Sequence, residues 1–304
     1  MKRRLLRLAL LLAALLVALP LLLIAAYRLA NQTNGALVSG GETRRYLLYV
    51  PDSYDPATPT PLVISLHGFI QWPAQQRQLT RWNDLADQHG FLVVYPSGAG
   101  LPLRWRAGTS FGDDAGPEPD VTFIAGLIDS LQADYNVDPA RIYANGMSNG
   151  AGMSFVLSCH LAERIAAVGL VAGAYAYSWD DCQPARAVPA IVFHGIDDHI
   201  VPFAGGRVSR PGLELPDISQ WVSTLANRNG CDGAPRTLPA PETITAVAYN
   251  GCDADVVFYT IAGGGHTWPG GQPLPRRLTG ATTTAIDATR LMWDFFQAHP
   301  LPPS

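Results

Sequence analysis

Charge and cysteine are both scarce in this chain. Only 15% of its 304 residues are charged, against 48% hydrophobic, and the net charge at pH 7 is −4. No long basic run occurs, which argues against a nucleic-acid partner, whose capture depends on neutralising phosphates. No segment is of low complexity and no repeat is visible, so an array or a disordered tail is not expected. The four cysteines include no Cys-x-x-Cys pair and have no histidine at ligand spacing, so neither a metal nor a cofactor is expected. None lies near the N-terminus to take a lipid.

What is present begins with an apolar N-terminal stretch. Lys2, Arg3, Arg4 and Arg7 precede a run from Leu8 to Tyr27 broken only by Pro20. This pattern over residues 1–30 fits an export signal or an uncleaved membrane anchor, with Ile24-Ala25-Ala26 as a small-residue cleavage site for the first. Either places the rest of the chain outside the cytoplasm, with membrane attachment through this segment left open. An even number of cysteines in an exported chain points to two disulfides. Pairing in order, Cys159 with Cys182 and Cys231 with Cys252, closes the shortest loops.

Residues 36–304 read as a single α/β domain. Arg44–Val50, Pro61–Leu66, Phe91–Tyr95, Ala166–Val171, Ala190–Phe193, Thr243–Ala248 and Val256–Ile261 have strand character. Trp82–His89, Ile218–Arg228 and Ala285–Ala298 have helical character, as does a segment that Asp120 is expected to cap. Short, continuously apolar strands alternating with helices imply a mostly parallel sheet covered on both faces. In such sheets ligands bind at the carboxyl ends of the strands. His67, Ser148, His194 and Asp198 all fall just after strands.

The most informative stretch is Arg141-Ile-Tyr-Ala-Asn-Gly-Met-Ser-Asn-Gly150. A strand runs into Gly146-x-Ser148-x-Gly150 and a helix follows at once, the context of a serine nucleophile on a sharp turn. Gly108-Thr-Ser110-Phe-Gly112 repeats the spacing, but no strand precedes it and Asp113 to Pro117 is loop punctuation. Ser110 is therefore expected to be an ordinary loop residue.

A serine nucleophile needs a base, and the base a carboxylate. In α/β-hydrolases the three follow in the order Ser, acid, His. Of seven histidines, His89 and His160 fall on helices and His299 follows the closing helix, where a solvated role is expected. His266, in Gly263-Gly-Gly-His266-Thr-Trp268-Pro-Gly270 after the last strand, fits the base, with His199 a distant second. For the acid, Asp197 and Asp198 compete. The oxyanion donors are expected to be the Asn149 amide and, after Leu66-His67-Gly68, the Phe69 amide. Trp72, Trp82, Trp105 and Trp268 could line a pocket; Trp268 is preferred because it adjoins the base.

Taken with Gly90-Phe-Leu-Val-Val-Tyr-Pro96, Val137-Asp-Pro-Ala-Arg141 and His194-Gly-x-x-Asp198, these motifs resemble the polyhydroxybutyrate depolymerase / feruloyl and acetyl-xylan esterase group of α/β-hydrolases. The resemblance covers nearly all of Arg44 to Phe296. It implies an α/β-hydrolase fold and a serine esterase working through an acyl-enzyme on a small or oligomeric ester. It further implies Ser148 as nucleophile, Asp198 as acid, His266 as base and Trp268 in the substrate wall. The chain departs from the depolymerase pattern at Phe69-Ile70-Gln71, where Cys-Thr-Gln is frequent, and at Ala151, where a further glycine is common. A feruloyl or acetyl-xylan esterase is the alternative, followed by a peptidase on this scaffold or a non-catalytic binding protein.

Overall fold

The computed structural model describes residues 7, 14–20, 22, 32–108, 116–208 and 213–302. The 1–30 segment lies largely outside the described residues; among those described, no helix is long and apolar enough to cross a membrane. Ser110 also lies outside them.

Ten strands form one sheet. Five come before the nucleophile turn or lead into it: β1 (Gly35–Ser39), β2 (Glu42–Tyr49), β3 (Thr60–Leu66), β4 (Leu92–Pro96) and β5 (Val137–Met147). β6 (Ala167–Val171) and β7 (Ala190–Gly195) follow it. A separate two-stranded ribbon, β8 (Gly206–Arg207) with β9 (Glu214–Leu215), precedes the last three, β10 (Gly233–Leu238), β11 (Ile244–Asn250) and β12 (Val256–Ile261). The order is β1-β2-β4-β3-β5-β6-β7-β12-β11-β10, parallel from β4 to β12 and antiparallel at both ends. This is the mostly parallel sheet of the α/β-hydrolase fold.

The helices packed on this sheet are α1 (Pro73–Thr80), α2 (Trp82–His89), α3 (Glu118–Asp134), α4 (Asn149–His160), α5 (Ile218–Arg228), α6 (Arg276–Thr279) and α7 (Ala288–Ala298), and described residues 14–20 near the N-terminus are also helical. Because side chains alternate along a strand, each central strand feeds two cores. Leu62, Ile64 and Leu66 of β3 join Phe123 and Leu127 of α3 and Phe155 of α4 on one face. Val63 joins Trp82 of α2 and Trp293 and Phe296 of α7 on the other. There Phe91 stacks on Trp293 at 4.0 Å and Tyr143 on Phe296 at 4.7 Å.

Several local expectations change. Asp120 does not cap α3. It lies inside the first turn, fully buried, where it takes a 2.8 Å bond from Arg44 and another of 2.8 Å from the Arg106 amide. A buried carboxylate must be paired, and this one pins β2, α3 and the 104–107 segment together. His299 is half-buried instead of solvated, with Nε2 3.0 Å from Asp255. β1, α1 and β10 carry no clear apolar period. Pro73-Ala-Gln-Gln-Arg-Gln-Leu-Thr80 is mainly polar, and Gly233-Ala-Pro-Arg-Thr-Leu238 is an edge strand in which proline is tolerated.

Both expected disulfides are present, Cys159–Cys182 and Cys231–Cys252. The first ties α4 to the loop after β6. The second closes the open end of the β10–β11 hairpin, just beyond the Gly233–Asn250 pair. Two such bridges belong to an oxidising compartment outside the cytoplasm.

Candidate active site

The first parallel strand in the chain is β3; β4 is then laid on one side of it and β5 on the other. The crevice at such a reversal is where an open α/β sheet presents its ligand site. Register does the rest. Leu66 pairs with Gly146, so the turn after β3 and the turn after β5 emerge side by side.

Ser148 occupies the β5–α4 turn with φ 57° and ψ −120°, a conformation that a residue with a side chain adopts only under strain. The flanking glycines are required for space. A Cβ on Gly146 would lie 2.4 Å from the carbonyl carbon of Gly150, and one on Gly150 would lie 2.2 Å from the carbonyl oxygen of Leu66. The Ser148 amide donates to Val171 at 2.9 Å, and its carbonyl accepts from Gly152 and Ala174 at 3.0 and 3.1 Å. The backbone is thus fixed while the half-buried side chain stands at the sheet edge.

The candidate acid and base come from the loops after β7 and β12, adjacent parallel strands. Asp198 is buried and Asp197 exposed, and Asp198 is the one bonded to His266. One oxygen of Asp198 accepts the amides of Ile200 and Val201 at 2.9 and 2.8 Å. The other accepts Nδ1–H of His266 at 2.7 Å. Burial pushes the Asp198 carboxyl up, but the His266 hydrogen bond and the neighbouring ring outweigh it, so the net shift is below the ordinary carboxylate value. With Nδ1 committed to Asp198, Nε2 is the nitrogen left for chemistry.

His194 sits behind this pair. Its Nε2–H donates to the Val201 carbonyl at 2.9 Å, and burial drives its pKa down, so it supports the acid loop as a neutral ring. Two of the three glycines before His266, Gly264 and Gly265, have a packing reason. A Cβ on Gly265 would lie 2.2 Å from the Thr279 carbonyl, and the His266 amide bonds that same carbonyl at 2.6 Å. The 279–281 segment therefore lies flat against the base loop. His199 is turned away, its Nε2 on the Leu278 carbonyl at 3.1 Å.

The Asn149 amide is the first of α4, where no intrahelical carbonyl faces it. Phe69 follows Gly68 at the adjacent turn. The Asn149 side chain has a function that no sequence pattern indicated: it brackets Trp105, accepting from its amide at 2.7 Å and donating to its carbonyl at 3.0 Å. Trp268 must be corrected. It is fully buried in the core beneath α7, and its indole N–H donates to Thr289 at 2.9 Å. A side chain so enclosed has no surface for a substrate wall. Trp82 and Trp105 are likewise fully buried.

Known proteins resemble this chain in sequence and in fold. Residues 44–180 match the family model described as Esterase PHB depolymerase. Feruloyl esterase C of Emericella nidulans is 30% identical over 277 residues, covering 88% of this chain and 86% of the relative. The bifunctional acetylxylan esterase/xylanase XynS20E of Neocallimastix patriciarum is 32% identical over 163 residues, 54% of this chain but only 22% of that larger protein. Among solved structures, the acetyl xylan esterase from Aspergillus awamori superposes with a TM-score of 0.62 over 84% of this chain and 94% of its own, at 16% identity, a likeness of fold. A strained serine turn, a buried Asp–His pair along one sheet edge and a full-length relative lead to one conclusion: the chain belongs to the polyhydroxybutyrate depolymerase / feruloyl esterase family of α/β-hydrolases and is a carboxylic ester hydrolase.

Proposed function

We propose that the protein is an exported serine esterase that cleaves its substrate through an acyl-enzyme, with Ser148, Asp198 and His266 as its catalytic group. Ser148 Oγ attacks the ester carbonyl as its proton passes to His266 Nε2. The Phe69 and Asn149 amides hold the negative oxygen of the tetrahedral intermediate. Collapse breaks the bond to the alcohol oxygen, which takes the proton from His266. A water then repeats the sequence on the acyl-serine, releasing the acid and restoring the hydroxyl. Asp198 stays ionised throughout, stabilising the imidazolium.

One observation carries this reading: the 2.7 Å Asp198–His266 bond leaves Nε2 as the proton acceptor at the edge where the strained Ser148 stands. Ser148→Ala should lower turnover of a nitrophenyl ester by roughly 10⁶-fold. An unchanged rate would remove Ser148 from the mechanism.

For the substrate, the family model over 44–180 supports a hydroxyalkanoate-type oligoester. A feruloyl or acetyl sugar ester is the second reading, supported by the full-length likeness to feruloyl esterase C. Hydrolysis rates on hydroxybutyrate oligomers, methyl ferulate and acetylated xylan decide between them. Residues 1–30 are proposed to direct export, ending in a soluble secreted or periplasmic enzyme or in one held at the outer face of the membrane. Mass spectrometry of the exported protein's N-terminus reads which.

A further inference from the structure

We propose that the end of the domain carrying the catalytic group is also a bilayer-docking face, held to the membrane by an uncleaved 1–30 segment, so that the enzyme draws its ester from the lipid interface. The proposal rests on the esterase reading above and narrows its substrate to esters that partition into lipid.

Single exposed apolar side chains are ordinary, but their concentration in one place is not. Outside residues 14–22, the large apolar side chains that stand exposed among the described residues are Val38, Ile70, Leu101, Ile196, Ile200 and Leu278. All of them lie at the carboxyl end of the parallel strands. Ile196 follows β7 directly, and Ile200 belongs to the acid loop. Leu278 is on α6, where its carbonyl meets His199 of that loop at 3.1 Å. On the other side of β5 and Ser148 lie β3 and β4. There Ile70 follows Phe69, and its amide donates to Leu103 at 2.9 Å. Leu101, 88% exposed, is in the same turn as Leu103, closed by the reciprocal Ala99–Arg104 bonds. Val38 pairs with Thr43 of β2, beyond the point where Tyr46 meets Pro96 at the end of β4. Apolar surface thus flanks the nucleophile on both sides.

Ile70 shows that this surface is not a by-product of folding. Its φ is 59°, in the left-handed region that a β-branched residue enters only at a cost, and its side chain is 59% exposed. Neither conformation nor burial favours isoleucine there, so its value lies in a contact outside the domain.

Two features select a bilayer as the occupant. The apolar run Leu8–Tyr27 is long enough to span one, and Gln32 is five residues further on, roughly 17 Å at full extension. Gln32 Oε1 accepts from Arg77 at 3.0 Å, and Arg77 is in α1, which begins three residues after Ile70. A retained anchor therefore enters the domain beside the Ile70 flank. On the other flank, Arg276 and Arg277 are exposed next to Leu278 and form no ion pair among the described residues. The acid loop opposes them with one exposed carboxylate, Asp197. Cations beside an apolar contact suit anionic headgroups.

The test uses the full chain in phosphatidylcholine vesicles with added phosphatidylglycerol. All four cysteines are in disulfides, so a single new thiol takes a fluorophore cleanly. Labels at Leu101→Cys and Leu278→Cys should be quenched by brominated lipid, and a label at Ala57→Cys, exposed at the opposite end before β3, should not. Equal quenching at the three positions, or none, overturns the proposal. In the double variant Leu101→Ser, Leu278→Ser, turnover of a long-chain ester dissolved in the bilayer should fall about ten-fold, as loss of two apolar contacts weakens docking. Turnover of water-soluble nitrophenyl acetate should stay within about two-fold, since neither side chain belongs to the catalytic group. Equal loss on both esters, or on neither, overturns the proposal. So does an exported protein whose mass lacks the N-terminal segment. Energy transfer between labelled copies in place of lipid quenching would assign the face to a second copy. Adsorption to a hydroxybutyrate film without lipid quenching would assign it to a polymer surface; either result overturns the bilayer. Quenching does not depend on turnover, so failure of the esterase reading is seen separately, as ester hydrolysis that survives Ser148→Ala.

Discussion

The two halves of the site are held by different physics. The nucleophile half is fixed by exclusion: Gly146 and Gly150 allow β3, β5 and α4 to approach to distances at which any Cβ would overlap backbone. The acid–base half is fixed mainly by satisfaction: each oxygen of Asp198 is spent on a named donor, and the base loop lies along 279–281 through backbone bonds, with close approach at Gly265 adding to them. Steric exclusion resists change of volume, whereas a hydrogen-bond set resists change of chemistry. Substitutions at the glycines of the first half should therefore be read in stability, and those at the hydrogen-bonding groups of the second in turnover.

The largest effect expected from this contrast is in the second half. In Asp198→Asn the amide oxygen stays on the Ile200 and Val201 N–H groups, so the NH2 group faces His266. Nδ1 must then become the acceptor and Nε2 carries the proton, the wrong tautomer for taking one from Ser148. Turnover should fall about 10⁴-fold, equivalent to roughly 5.5 kcal/mol, with the thermal midpoint nearly unchanged. A midpoint that falls as steeply as the rate would erase the distinction drawn between the halves. The converse case is Gly150→Ala. Its methyl meets the Leu66 and His67 carbonyl oxygens at 2.2 and 2.6 Å, and both are main chain that cannot rotate away. A loss of about 3 kcal/mol or more in denaturant unfolding is expected, at the upper end of overpacking costs. Wild-type stability in this variant would mean that the turn is looser than its geometry indicates.

The site responds to acid in two windows. Burial lowers the pKa of His67 from 6.5 to about 4. Between those values the unfolded chain binds a proton that the folded chain refuses, so stability falls as pH drops from 6.5 to 4, by about 3 kcal/mol in all. His194, lowered in the same direction, adds to the slope. Asp198 works in the other window. Its folded pKa is depressed, so its contribution is present above the unfolded carboxylate value of 3.8 and is lost only as pH falls further. Urea midpoints measured from pH 7 to 4 should flatten in His67→Gln. An unaltered slope would assign it to other groups.

How far the sequence revealed this molecule follows the same division. Ser148 was legible because exclusion leaves a local signature: glycines two residues either side, a strand before and a helix after. The central strands were legible because double burial makes them continuously apolar. His266 stood out by its order and its place after the last strand, but Asp198 required a resemblance to distinguish it from Asp197, since the bond joining acid and base spans 68 residues of chain. The bracket between Asn149 and Trp105, 44 residues apart, had no sequence signal, because either residue alone is ordinary. The buried Asp120 was misassigned for a related reason: a cap and an ion-pair partner look alike until Arg44 and Arg106 are brought to it.

Trp268 offers the smallest effect and the sharpest test of the line between site and core. Its position beside the base made it a natural substrate contact, yet the chain reverses after His266 and buries the indole beneath α7, on Thr289. Thr289 in turn donates to the Thr80 carbonyl at 2.6 Å, so the indole belongs to a relay tying α7 to the end of α1. Trp268→Phe preserves most of the apolar contact and deletes one buried donor. The expected cost is about 1 kcal/mol of folding stability, with KM and kcat for any ester unchanged within about two-fold. Should KM rise while the thermal midpoint stays put, the indole touches substrate after all, and the boundary of the acid–base half must be redrawn to include it.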